Sequence, residues 1–361
     1  MADFNVNHIT GKQGQQGTVL AGITTVNSTG AMRIPSGSSA YRGNGGRGIT
    51  GSGWNPNSVR TIDYYQIAST GNATGWGDVI GYGAALAGSA SNNTRGLTAG
   101  GFEGSPTNNR ITTVQALTIP TIGDIIDFGD LSTTTQQAAG ASNSTRAVYT
   151  SGNSVPLVLN KNYMIQFATS GSVQDFGDIL NSSSCRQTAT CQTPTRGYYA
   201  GGEGSGGEHQ NPGSAWSKNI TITTFSTLGS SDKFGELSTF RYQGSGVGSA
   251  TRGVFIGGST PVSSPEVYQN SMEYITLTTT GETTDFGDVA SSNFGASSHS
   301  GASNMVRGVV HHGRTADGGT ALNTLEYITI ATTGNTTDFG DLNYTAHSSF
   351  TVSDSHGGLD H

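Results

Sequence analysis

Residues 272–289 read Met-Glu-Tyr-Ile-Thr-Leu-Thr-Thr-Thr-Gly-Glu-Thr-Thr-Asp-Phe-Gly-Asp-Val, and residues 325–342 read Leu-Glu-Tyr-Ile-Thr-Ile-Ala-Thr-Thr-Gly-Asn-Thr-Thr-Asp-Phe-Gly-Asp-Leu. Two such similar stretches that begin 53 residues apart identify an internal repeat. A repeat of this length is typical of supersecondary units that stack to bury a shared core.

The Asp-Phe-Gly-Asp signature, or a variant of it, recurs along the chain every 48 to 58 residues. A glycine precedes its aromatic residue by five positions in each copy. The acids that close the copies are Asp78, Asp130, Asp178, Glu236, Asp288 and Asp341. A second pattern recurs at the same spacing: an arginine, which we call the anchor arginine, followed by a small residue and a short apolar run. The anchor arginines are Arg47, Arg95, Arg146, Arg196, Arg252 and Arg307.

Each repeat is predicted to form four short strands, which we call a to d in chain order. Strand a is rich in Ser, Ala and Gly, strand b starts at the arginine, strand c is the Tyr-Ile-Thr run and strand d carries the Asp-Phe-Gly-Asp segment. Ile275 and Leu277 share one face of strand c, as the two-residue period of a strand requires. Glycine-rich inner strands at this spacing predict an all-β fold, a single β-propeller of four-stranded blades.

The two termini carry incomplete repeats. Residues 23–30 align with strand c at 274–281, whereas residues 346–358 resemble strands a and b. We therefore predict an N-terminal extension over 1–16 and a propeller over 17–361. Full repeats span about 38–343, and a seventh blade is shared between 17–37 and 344–360. A six-bladed ring with an N-terminal arm is the alternative, and it leaves two half-repeats unpaired.

Composition narrows the possible functions. Glycine accounts for 55 of 361 residues, charged residues for 11%, and the net charge is −7. Without a basic stripe, nucleic acid is not an expected partner. No apolar run has the length of a membrane helix, and the N-terminus lacks the pattern of a secretory signal. Cys185 and Cys191 form either two free thiols or one local bridge.

Several motifs resemble functional sites. Asp-Phe-Gly matches a kinase metal-binding triplet, but repetition at blade spacing predicts a structural turn in which Asp accepts backbone N–H groups. We expect each anchor arginine to pair with a buried repeat carboxylate rather than to bind a ligand. His311-His312 is expected to be an exposed pair, since no ligand spacing completes a metal site. His356 and His361 lie in a Gly/Asp-rich tail, where a cation site is the less favoured alternative.

The non-repeated insertions are more informative about function than the repeats. They follow strand b and are expected to project from one face of the disc as a recognition surface or a contact with neighbouring subunits. These insertions are 43–56 with Trp54, 101–109, 202–217 with Trp216, and 259–270. Acids outside the repeat pattern keep a polysaccharide-degrading enzyme open as an alternative: Glu103, Glu203, Glu208, Glu266 and Asp317.

The repeats resemble those of structural proteins of tailed bacteriophages, especially phages of marine cyanobacteria. The resemblance rests on Tyr-Ile-Thr-Ile-Ala-Thr-Thr-Gly-Asn-x-x-Asp-Phe-Gly-Asp-Leu and on Ser-Thr-Gly-Ala-Met-Arg-Ile-Pro-Ser-Gly at 28–37. Kelch-type propellers are a looser match. Their repeats place two aromatic residues close together after a Gly-Gly pair, whereas Tyr274 and Phe286 are 12 positions apart here. The resemblance implies a virion protein on the tail, fibre or head, oligomeric within the particle.

We therefore expect a non-enzymatic protein of the virion, assembled in the host cytoplasm. Its expected partners are other virion proteins and a host-surface glycan or receptor, without nucleic acid or membrane insertion. Neither a catalytic residue nor a cofactor or metal site is expected. A lectin-like propeller that binds carbohydrate is the alternative function, ahead of an enzyme.

Overall fold

The structure, a computed structural model, describes residues 46–150, 152–154, 157–158, 160–171, 173–180, 188–204, 209–211, 214–260, 267–290, 300–315 and 320–359. The described residues form strands and no helix. Six four-stranded antiparallel blades make a β-propeller ring, which confirms the predicted fold class.

Each blade runs outward from strand a to strand d. The strands b are Arg47–Gly51, Arg95–Ala99, Arg146–Thr150, Arg196–Ala200, Arg252–Ile256 and Arg307–His311. The strands c are Thr61–Gln66, Asn109–Thr118, Lys161–Gln166, Asn219–Thr224, Ser271–Thr276 and Thr324–Thr329. The strands d are Thr74–Asp78, Ile126–Thr135, Gln174–Asp178, Asp232–Glu236, Thr284–Asp288 and Thr337–Asp341.

The innermost strands close the ring, and they correct the predicted blade count. Strand a of blades 2 to 6 is Gly88–Ser91, Gly140–Ser142, Ala189–Gln192, Ser245–Gly248 and Ser300–Ser303. Strand a of blade 1 is Phe350–Ser353, which pairs antiparallel with Arg47–Gly51. The C-terminal half-repeat thus completes the first full repeat, and the seven-bladed prediction is wrong. The predicted strands at 17–37 lie outside the described residues.

The hydrophobic core is divided among the six interfaces between blades. Each of six clusters combines the aromatic residue of one strand d with apolar side chains from the next blade. In one of them, Phe286 of blade 5 packs against Val310, Ile328 and Ile330 of blade 6. Because every blade supplies half of two cores, the blades depend on one another for burial.

The repeat signature also joins the blades through backbone hydrogen bonds. The closing acid of each strand d offers its carbonyl to an N–H two residues after the corner glycine of the next blade. This contact recurs at all six interfaces: Ile125 to Asp78, Val173 to Asp130, Ser231 to Asp178, Thr283 to Glu236, Thr336 to Asp288, and Ala73 to Asp341. The last of these links blade 1 to blade 6, so the ring of contacts is complete.

Strand d needs glycine after its aromatic residue because the blades approach closely there. The c–d pairing shifts register at this point, so that Met272 faces Gly287 and Glu273 faces Asp285. Gly287 has a φ of 136°, and a Cβ there would lie 2.5 Å from the carbonyl oxygen of Gly334. The bulge leaves Phe286 free to turn toward the next blade.

Candidate recognition surface

The connections of the ring lie on two opposite faces. The b–c and d–a connections share one, which we call the b–c face, and β-bridges join them between neighbouring blades: Trp54 with His347, Ala85 with Phe102, Gln136 with Asn153, and Tyr242 with Ser259. Short extra strands occur on this face at Phe102–Glu103, Asn153–Ser154, Leu157–Val158, Glu203–Gly204, His209–Asn211, Ser214–Trp216, Ser259–Thr260 and Val267–Tyr268. The predicted insertions therefore project together where the structure describes them.

The anchor arginines lie at the opposite end of strand b, where they hold neighbouring blades together. Arg252 Nη1 donates to the carbonyls of Ile330 and Ala331 in blade 6, at 3.1 and 2.8 Å. Its guanidinium lies 4.3 Å from the ring centroid of Tyr274 in its own blade. The same donation to the end of the next strand c is made by Arg47 to Ile119, Arg95 to Phe167, Arg146 to Phe225, and Arg307 to Ile67.

This arrangement corrects the expectation that the arginines pair with buried carboxylates. Their partners are backbone carbonyls, because the residue that follows each strand c has an acceptor free at the sheet end. In blade 4 the hydroxyl of Tyr198 donates to Leu277 at 2.6 Å, and Arg196 is exposed. Five of the six arginines thus join neighbouring blades, and the predicted carboxylate partner is wrong.

Two of the four Asp-Phe-Gly aspartates make the contact that the turn prediction requires. Asp127 accepts a hydrogen bond from the N–H of Gly129 at 3.0 Å, and Asp175 accepts one from Gly177 at 3.1 Å. Each carboxylate therefore stabilises the bulge that follows it.

Aromatic side chains gather on the b–c face where blades 1 and 2 meet. The rings of Trp54 and Phe102 lie 5.6 Å apart between centroids, tilted by 47°. The Ser58 hydroxyl donates to the carbonyl of Phe102 at 3.1 Å, which ties the two loops together. Nearby, Ile80 and Tyr82 are 38% and 51% exposed. This face thus presents apolar surface in loops that the repeat pattern does not dictate.

A buried ion pair supports the same face from below. Arg241 Nη2 contacts Glu273 Oε1 at 2.5 Å, and both side chains are buried. Burial disfavours ionisation of Glu273, but Arg241 and hydrogen bonds from Thr283 and Ser238 lower its pKa overall. Every oxygen of this carboxylate has donors, so it is committed to holding the d–a connection of blade 4 against strand c of blade 5.

The position of Glu273 is a recurrent polar position in strand c that sequence reasoning missed. Its counterparts accept the N–H two residues after the closing acid of the preceding blade: Gln115 from Ile80, Glu273 from Ser238, and Asp63 from Asn343. The signal was present in the sequence as an acid or amide at the same strand c position in four of the six blades: Asp63, Gln115, Glu273 and Glu326.

Histidines line the joint between blades 6 and 1. His311 and His312 are 0% and 1% exposed, which corrects the expectation of an exposed pair. His312 Nε2 lies 3.1 Å from Glu326 Oε2. Burial opposes ionisation of Glu326, yet its contacts with His312 and Thr336 lower its pKa overall.

His347 lies in the d–a connection that leads into the closing strand, Phe350–Ser353. Its Nε2 is contacted by Nη2 of Arg314, and its Nδ1 lies 2.8 Å from the hydroxyl of Ser348. Burial, the Arg314 charge and His311 lower the pKa of His347 to about 3. Burial and His312 lower the pKa of His311 to about 4, although a hydrogen bond to the Leu322 carbonyl opposes the shift.

The acids that left a polysaccharide-degrading enzyme as an alternative do not converge on one described site. Glu103 accepts a hydrogen bond from Thr107 at 3.1 Å on the edge of blade 2, whereas Glu203 belongs to blade 4. Glu208, Glu266 and Asp317 lie outside the described residues. Glu103 and Glu203, the two of these acids that the structure describes, therefore lie in different blades and do not form the carboxylate pair that glycoside hydrolysis uses.

The central channel is lined by small polar side chains from strands a, around a cavity of about 120 Å³. Serine hydroxyls bridge adjacent blades: Ser91 donates to Ser353 at 2.7 Å, Ser142 to Ser91 at 2.8 Å, Ser303 to Gly248 at 2.9 Å, and Ser353 to Ser303 at 2.6 Å. The C-terminal segment then crosses the channel, where His356 Nε2 lies 2.8 Å from the Ser91 carbonyl and Leu359 is fully buried.

The remaining expectations concern metals, thiols and membranes. Among the described residues, no group of three or more His, Cys, Asp or Glu is placed to hold a metal ion. Cys191 is a buried free thiol, and Cys185 lies outside the described residues. No helix that could cross a membrane occurs in the part of the chain that the structure describes.

No family model matches the sequence, and no curated protein matches it significantly.

Proposed function

We propose that this protein is a structural component of a tailed-phage virion, exposed on the tail, fibre or head, whose b–c face contacts the host surface. One observation carries the proposal. The repeated residues are used in contacts between blades, while the non-repeated loops with Trp54, Phe102 and Tyr82 gather on one face. A rigid scaffold with variable loops is the usual arrangement of a recognition protein.

The assignment to a virion is supported by the sequence resemblance of the repeats. The closed ring suits that role, because the circle of inter-blade hydrogen bonds is complete and only the short outer strands d remain as sheet edges. The low content of charged residues is also compatible with a scaffold that packs against other subunits.

The test is whether the chain is a constituent of purified particles. Phage propagated from the genome that encodes the chain would be purified on a density gradient and quantified by mass spectrometry, with and without tails. We expect a fixed copy number per particle. Absence from purified particles, with abundant protein in the lysate, would remove the virion assignment.

A lectin-like function is the second candidate, favoured by the Trp54–Phe102 pair on the b–c face. Aromatic rings bind the apolar faces of sugars, and polar groups around them set the orientation. Glycan binding by the isolated protein together with absence from particles would favour the lectin over the virion component.

A further inference from the structure

Among the residues that the structure describes, one arginine on the b–c face has no acidic partner. Arg314 is half-buried, and Nη2 donates to Nε2 of His347. No carboxylate among the described residues forms an ion pair with it, whereas Arg241 at the blade 4–5 joint is paired with Glu273. Burial lowers the pKa of Arg314, although Tyr268 of blade 5 opposes the shift. A desolvated cation without a counter-ion favours binding of an anion.

The contact with His347 orients the guanidinium without neutralising it. Arginine only donates hydrogen bonds, so Nε2 of His347 must be the acceptor and carry no proton. The proton of the neutral ring then resides on Nδ1 and is donated to the Ser348 hydroxyl. Arg314 keeps its full charge and has donors left for a ligand.

Aromatic residues of the neighbouring blades lie on the same face as this cation. The backbone of His347 pairs with that of Trp54, with N–H to carbonyl distances of 2.8 and 3.2 Å. Trp54 in turn contacts Phe102 of blade 2. Half-buried Tyr268 of blade 5 interacts electrostatically with Arg314. Blades 5, 6, 1 and 2 therefore bring one cation and several aromatic rings to the same face.

We propose that Arg314, with Trp54 and Tyr268, forms a binding site for an acidic sugar, a glycan unit that carries a carboxylate or a phosphate. The planar guanidinium matches both anions through paired hydrogen bonds. The aromatic rings suit the apolar face of a pyranose, and they distinguish a sugar from a simple anion. This proposal rests on the proposed recognition role of the b–c face.

The experiment uses the full-length protein and an array on which uronate, sialylated and phosphorylated oligosaccharides each stand beside a neutral counterpart. We expect binding to at least one acidic glycan at least tenfold tighter than to its neutral counterpart. Acetate and inorganic phosphate alone should compete weakly, since they lack the pyranose face. Preference for carboxylated or phosphorylated glycans identifies which anion the site takes.

Variants then localise the binding. Arg314→Gln should weaken it at least tenfold, and Arg314→Lys should retain part of it because the charge stays. Arg60→Gln is the matched control, since Arg60 is an exposed arginine that donates to the Val79 carbonyl in the adjacent blade 1. Thermal unfolding would show that each variant is folded.

Two results would overturn the site. One is an Arg314→Gln variant that binds acidic glycans as tightly as the wild type. The other is a wild-type protein that binds no acidic glycan in preference to its neutral counterpart. Neither result affects the particle measurement, so failure of this site is distinguishable from failure of the virion assignment.

Discussion

At the scale of single residues, five of the anchor arginines hold neighbouring blades together by donating hydrogen bonds to backbone carbonyls. Each anchor arginine was expected to meet a carboxylate, because opposite charges attract most strongly when buried. The structure instead uses the carbonyl at the end of strand c, as Arg252 does with Ile330 and Ala331. A backbone acceptor leaves no signal in the side-chain sequence, so this partner could not be predicted.

We predict that Arg252→Ala lowers the free energy of unfolding by about 2 kcal/mol, from the loss of hydrogen bonds to a charged donor and of one cation–π contact. This is less than the loss of a buried ion pair, because Arg252 is half-buried and one of its two partners, Ala331, is exposed. Arg196→Ala, at the exposed blade 4 position, is the control and should cost less than 1 kcal/mol. Equal losses in urea unfolding would contradict the inter-blade role.

The free energy of unfolding should depend more strongly on the buried ion pair between Arg241 and Glu273. Glu273→Gln leaves the Arg241 charge without its counter-ion, and we expect a loss of about 3–5 kcal/mol. Glu282→Gln makes the same chemical change at an exposed residue of the next corner and should be neutral within about 0.5 kcal/mol. Urea unfolding of both variants measures the difference. A Glu273→Gln protein as stable as the control would show that the pair contributes nothing.

At the scale of elements, the four-strand repeat could be read from the sequence because its signals are local. The two-residue alternation marked strand c, and glycine marked the corners that the structure builds at Gly281 and Gly334. The register shift in strand d was not predicted. It depends on the close approach of the next blade, as the contact of Gly287 with Gly334 shows, and that neighbour is about 50 residues away in sequence.

Strand d and the corner of the next blade therefore approach so closely that one added methyl group should lower the stability of the protein. Gly340 has a φ of 141°, and a Cβ there would lie 2.5 Å from the Gly71 carbonyl oxygen. We predict that Gly340→Ala costs about 2–4 kcal/mol through backbone strain and displacement of blade 1. Gly75→Ala is the matched control in strand d of blade 1, where a Cβ meets nothing within 4 Å. Thermal unfolding of the two variants should differ clearly, and similar melting temperatures would refute the close approach.

The histidines near the connection into the closing strand should make the folded protein less stable in acid. His311 and His347 have folded-state pKa values of about 4 and about 3, below the 6.5 of an unfolded histidine. The unfolded chain therefore binds more protons below pH 6.5, and stability falls as the pH decreases from there toward 3–4. Arg314 and His312 face these rings and disfavour their charging, whereas Glu326 is an acid beside His312.

At pH 5 we expect each of these histidines to remove about 2 kcal/mol relative to pH 7. Urea unfolding at the two pH values measures the loss. The double variant His311→Gln, His347→Gln should show a smaller difference between pH 7 and pH 5 than the wild type. A wild-type stability that does not change over this range would contradict the buried neutral state of the pair.

At the scale of the whole molecule, the sequence predicted the propeller but not the way in which it closes. The C-terminal run was assigned to strands a and b of a further blade, yet only Phe350–Ser353 forms a blade strand. One signal could have corrected this. Asp354 stands where Asn304 precedes Arg307, and it accepts a hydrogen bond from the N–H of Arg47 as Asn304 does from that of Arg307. The match links the last strand a to the first strand b.

The closure leads to opposite expectations for the two ends of the chain. Deleting residues 1–37 should change the free energy of unfolding by less than about 1 kcal/mol, because all six blades and all six inter-blade contacts are complete without them. Deleting residues 346–361 removes the innermost strand of blade 1, exposes Ile49 and interrupts the hydroxyl contacts of Ser91 and Ser303 in the channel.

Because each core is shared by two blades, the loss of one closing strand should spread around the ring, and we expect the C-terminal deletion to abolish cooperative unfolding. Circular dichroism during urea unfolding would compare the two deletions with the full chain. A folded C-terminal deletion would show that the ring does not need its closing strand. Collapse of the N-terminal deletion would mean that residues 1–37 contribute to the ring after all, and the count of six self-sufficient blades would be wrong.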